Sequence, residues 1–99
     1  MIAGLQFDHV GIPTDERRPN EHLVEKTRVW VTNPREDPHR IEYLRFEPDS
    51  AVPEVVRRLP HVAWRVPPGT LRAWTDRYRV VLEPWESQPG FAWVSFVEV

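Results

Sequence analysis

A metal ion bound by this chain would have to rest on histidine and carboxylate, because the sequence has no cysteine. Two of the four histidines share a local pattern. His9 lies in DHVGI (8–12) and His61 in PHVAW (60–64), 52 positions apart, and each precedes a valine and a small residue inside an apolar run. His22 and His39 lie in polar segments and read as surface residues. A divalent ion takes three or four nitrogen or oxygen ligands and keeps positions open for substrate. Two imidazoles therefore need carboxylates beside them. RIEYLRFE (40–47) offers Glu42 and Glu47, which face opposite ways on a strand, and the C-terminal strand offers Glu98. Two histidines with one or two glutamates would suit Zn, Fe(II), Mn, Co or Ni. Such an ion would polarise substrate oxygens, and a carboxylate, Glu98 or Glu42, would move a proton as general base. The plainer reading stands beside this one: histidines that serve only as hydrogen-bonded strand residues, and glutamates that face water.

The elements that must position these residues are short, because eleven prolines punctuate the chain. Residues 5–12 read as a strand with Phe7, His9 and Gly11 on one face and Asp8, Val10 and Ile12 on the other. Residues 13–26 read mainly as loop. Strands follow over 27–33 and 40–47, separated by the turn segment NPREDPH (33–39). On 40–47, Tyr43, Arg45 and Glu47 oppose Glu42, Leu44 and Phe46; if that face lined the cavity, Arg45 would clamp a carboxylate or phosphate. Residues 51–59 fit either one helical turn or an extended linker. A strand over 61–66 stops at Pro67-Pro68-Gly69, and Thr70 is placed to cap a helix over 71–78 that shows Leu71, Trp74 and Tyr78 as a stripe. Strands over 79–86 and 91–99, joined by SQPG, complete six strands and one helix, an α+β chain with a mixed sheet. Both halves open on a His-Val strand, which makes an internal duplication worth testing.

The totals bound the function. Ninety-nine residues make one domain with a modest core. A formal charge of −2 supplies no basic field, which argues against a nucleic-acid partner. No apolar run is long enough for a membrane span, and MIAGLQFDHV lacks the look of a secretory leader, so the sequence reads as cytoplasmic. Five tryptophans are mostly core or interface material. Trp64 faces away from His61 and is expected to pack under the helix, whereas Trp85 and Trp93 could line a cavity.

FDHVGIPT, IEYLRFEPDS, VPEVVRRLPHVAWRV and VVLEP, in that order, resemble the vicinal oxygen chelate superfamily of glyoxalase I, methylmalonyl-CoA epimerase and bleomycin-resistance-like proteins, and look closest to its short glyoxalase-like members. The resemblance implies two abbreviated βαβββ-type modules, about 5–50 and 60–99, whose mixed sheet curls around a cavity. It implies a metal held by His9, Glu42, His61 and Glu98, with Glu47 in place of Glu42 as the other choice. It implies a small metal-dependent lyase, isomerase or epimerase acting on a small oxygenated substrate, with Tyr43, Arg45, Trp85 and Trp93 near that substrate. The alternative is a metal-free binding protein that uses the same cavity for a small molecule. Open sheet edges predict a homodimer in either case, and a degenerate interaction domain is the third possibility.

Overall fold

The computed structural model describes residues 4–88 and 92–98. The chain divides into two compact units, Phe7–Trp64 and Met1–Gln6 with Arg65–Val99.

The first unit is built on β1 (Gln6–Pro13), β2 (His22–Val24), β3 (Val29–Val31), β4 (Ile41–Phe46) and β5 (His61–Arg65), with α1 (Glu54–Arg58) before β5. They form one mixed sheet in the order β2-β3-β4-β1-β5. β1 and β4 are parallel, with Gly11 opposite Glu42, while β3 runs antiparallel to both β2 and β4. The first half thus holds four strands where the sequence reads as three. The extra strand, β2, lies in the segment expected to be loop. Its three residues owe their form to pairing with β3, His22 to Val31 and Val24 to Val29, and not to a pattern of their own. Val29 and Val31 of β3 and Leu44 of β4 are buried together, with Val24 and Phe46 against them. Each such burial is worth about 1.5–3 kcal/mol, so this small cluster fixes the register of β3 against β4, the strand that carries Glu42.

The sheet is open, neither closed nor curled, with β2 and β5 at its edges. This corrects the expectation of a curled sheet. β2 and β3 are three residues each, too short to carry the tilt and coil that closure requires. Of the two alternatives for 51–59, the helical one holds: α1 buries Val56, and Leu59 leaves the helix in an extended conformation ahead of Pro60.

The second unit contains α2 (Leu71–Thr75), β6 (Arg79–Gln88) and β7 (Ala92–Glu98). β6 and β7 form an antiparallel pair whose register shifts three times. The helix is shorter than 71–78, because the chain turns at Asp76 with Tyr78 N–H bonded to the Thr75 carbonyl. Thr70 stands at the N-cap position, but its hydroxyl donates back to the Pro67 carbonyl at 2.7 Å and caps nothing. The strand expected over 79–86 runs on to Gln88. The turn expected at 87–90 and the ends of the strand expected over 91–99 fall partly outside the described residues. Among the described residues, no helix is long and apolar enough to cross a membrane.

Candidate metal centre

Three strands that adjoin in the first unit's sheet each contribute one ligand. His9 comes from β1, Glu42 from β4 and His61 from β5. One ligand atom from each lies within 4.8 Å of the others, and all three residues are half-buried. Bonds of about 2.0–2.2 Å to one ion would need those atoms to draw in by well under an ångström. The two imidazole centroids stand 6.0 Å apart at 75°. Rings bound through nitrogen sit roughly 3 Å from their ion, so one ion can serve both.

Gly11 makes the space. It occupies the central strand between Glu42 on β4 and His61 on β5. A Cβ at this position would overlap Cε1 and Nε2 of His61 and lie 2.7 Å from Nδ1. The His61 ring therefore lies over bare backbone, which only glycine provides.

His9 is held from both ends. Its Nδ1 is 2.6 Å from Asp8 Oδ2, and its Nε2 is 3.3 Å from Glu42 Oε1. A carboxylate only accepts, so Nδ1 carries a hydrogen toward Asp8. In the neutral ring, Nε2 then presents a lone pair to a glutamate oxygen, and two negative poles face each other. A cation relieves that contact, either a proton or a metal ion. Burial by itself pushes His9 toward its neutral form, yet the hydrogen bonds it donates to Glu42 and Asp8 and the charges of those carboxylates outweigh it and raise the pKa above the ordinary imidazole value. His61 goes the other way. Burial lowers its pKa and the neighbouring His9 adds to this, against a smaller opposing pull from Glu42. One histidine thus favours a positive charge, and the other disfavours one.

Asp8 completes this arrangement, and residue alternation did not reveal it. Its nominal face is the one opposite His9. Only 5% exposed, it accepts from Arg35 at 2.8 Å through Oδ1, while Arg40 lies 3.6 Å away and donates Nε to the Asp8 carbonyl at 2.8 Å. Burial tends to raise the Asp8 pKa, but the hydrogen bond from His9 and the charges of Arg35, His9 and Arg40 hold it below the ordinary carboxylate value. A sequence signal existed: a carboxylate inside an apolar strand is costly unless paired, and arginines stand at 35 and 40.

The remaining anticipated residues lie elsewhere. Glu47 accepts from Trp30 Nε1 at 2.9 Å and stands outside the triad. Arg45 forms an ion pair with Glu21 and lies over the Trp30 ring. Its guanidinium is thus engaged within the protein. Tyr43 carries the Arg18 guanidinium 3.6 Å above its ring and helps line an open polar hollow of about 290 Å³ with Asn20, Thr32 and Asp37. Trp64, expected to pack under the helix, is instead solvent-facing. It is 51% exposed and meets Phe7 edge-on, because both belong to the β1–β5 side of the sheet. In the second unit, Trp85 stacks on Phe96, Trp93 is exposed opposite Glu86, and Glu98 is exposed opposite Arg79. His22 and His39 are exposed, as expected.

No protein-family model, curated protein or solved structure matches this chain.

Proposed function

We propose that the Phe7–Trp64 unit holds one divalent metal ion on His9, Glu42 and His61, and that the protein is a small lyase, isomerase or epimerase of the vicinal oxygen chelate type. The observation that carries this reading is the convergence of one ligand atom each from His9, Glu42 and His61 to within 4.8 Å of one another, with Asp8 on the other nitrogen of His9. The donor set of two nitrogens and one oxygen suits Zn, Fe(II), Mn, Co or Ni. A bound ion would supply Lewis acidity toward vicinal oxygens of a small hydroxy- or oxo-carbonyl compound. His9 and His61 hold their ring nitrogens toward a common point. Glu42 spends one oxygen on that point and can move a substrate proton with the other.

The test is metal uptake. Purified protein is expected to bind about one equivalent of cobalt(II) or zinc(II), and His9→Ala is expected to weaken this at least about 100-fold, since losing even an outer partner of a ligand costs 10–100-fold. The metal-loaded protein should incorporate deuterium from solvent at the carbon next to a carbonyl in a small 2-oxo or 2-hydroxy compound, read by NMR. Wild-type protein that takes up neither ion ends this reading.

A further inference from the structure

We propose that Asp8 is a positioning residue, clamped by Arg35 and Arg40, that fixes the His9 ring in the Nδ1–H tautomer and aims Nε2 into the triad. The inference rests on the metal-site reading for its purpose and on its own geometry for its truth. A histidine side chain free in water carries its hydrogen mainly on Nε2, the nitrogen that would have to ligate here. Left to itself, His9 would present an N–H to Glu42 and could not donate a lone pair there. Asp8 Oδ2, 2.6 Å from Nδ1, reverses that preference. A partner of this kind on the far nitrogen orients a ligating histidine and strengthens it.

The clamp explains why Asp8 holds its place. An aspartate beside a histidine in a strand would ordinarily project to the opposite face. Here its Oδ1 receives the Arg35 guanidinium, and Arg40 grips the main-chain oxygen of the same residue. Both arginines come from the β3–β4 connection. A short 3-10 turn over Pro34–Glu36, capped by Asn33 Oδ1 on the Arg35 N–H, presents the first. The second sits at φ 57°, a left-handed conformation rare for a residue with a side chain, just before β4 begins. A capped 3-10 turn and one left-handed residue thus deliver two guanidiniums to one buried carboxylate. Arg40 also joins this bracket to β1 through the main chain, because its carbonyl accepts from Val10 N–H at 3.0 Å.

Nitrogen-15 NMR of the imidazoles in chelator-treated protein, at a pH where His9 is neutral, reads the tautomer directly and needs no metal. Wild type is expected to show Nδ1–H at His9. Asp8→Ala should switch it to Nε2–H, and Asp8→Asn, whose amide oxygen still accepts, should keep Nδ1–H. A cobalt titration of the same proteins should show Asp8→Ala binding 10–100-fold more weakly with an altered visible spectrum, and Asp8→Asn largely restoring that spectrum. Should Asp8→Ala fail to fold, the exposed Arg35→Gln serves instead, with a mixed tautomer expected. Nε2–H in the wild type, or Nδ1–H persisting in Asp8→Ala or unchanged in Arg35→Gln, overturns the proposal. Wild type with the Nδ1–H tautomer but no affinity for cobalt upholds the role of Asp8 and overturns the metal reading alone.

Discussion

His9 stands midway along β1 and His61 opens the adjacent β5, each followed by valine and a small residue, and their rings meet edge to face. They are held by opposite means. His9 sits in a net of charge, with Asp8 on one nitrogen, Glu42 on the other, and two arginines behind Asp8. His61 sits in a slot, where the absence of a side chain at Gly11 admits its ring. Similar sequence therefore yields one electrostatic seat and one steric seat. A charged seat raises the pKa and gives basicity, whereas a desolvated slot lowers it and keeps the ring neutral. A cation binding both rings would meet one donor paired with carboxylates and one whose burial disfavours a proton.

The steric half of this contrast breaks most sharply at the slot. Gly11→Ala should displace the His61 ring, weaken cobalt binding tenfold or more, and cost about 1–3 kcal/mol of stability through overpacking. A cobalt titration and a urea melt check both parts, and unchanged affinity would show that the slot does not place His61.

The electrostatic half appears in pH dependence. In chelator-treated protein, imidazole NMR is expected to show His9 titrating above the ordinary value of about 6.5 and His61 below it. The two then act on stability in opposite directions. His9, with its raised folded pKa, adds stability at low pH that is lost as pH rises through that pKa. His61, with its lowered folded pKa, adds stability at high pH that is lost as pH falls through its own. His61→Asn should leave a protein that weakens as pH climbs past neutrality, and His9→Asn one that weakens as pH drops below about 6.5. Denaturation midpoints that move the same way in both variants would erase the distinction.

The smallest effect belongs to the histidines outside the pair. His22→Ala and His39→Ala are exposed changes and should leave cobalt affinity within about twofold, measured in the same titration.

Much of this contrast was legible in the residues. Alternation and proline punctuation located β1, β4 and β5, and parity on those strands put His9, Gly11, Glu42 and Leu44 on consistent faces. The pairing of β1 with β4 is not a local property. It joins residues far apart in the chain, Val10 to Ile41 and Gly11 to Glu42, and no window of sequence contains it. β2 escaped for the same reason, since three residues carry no period and borrow their form from β3. Asp8 escaped because alternation assigns a Cβ to a face, whereas two guanidiniums decide where its carboxylate goes. The slot at Gly11 became visible only once His61 was laid over it.

Arg40 shows a competition between folding and site assembly. Its left-handed backbone costs of order 1 kcal/mol that glycine would not incur. Glycine there would relax the turn, release the Asp8 carbonyl, and leave the carboxylate with a single guanidinium. Selection for thermal resistance alone would favour that exchange if the lost contacts were weak, and selection for an oriented His9 would oppose it. The side chain at position 40 is therefore a place to look for a trade-off between robustness and activity, in a residue outside the His9, Glu42 and His61 group.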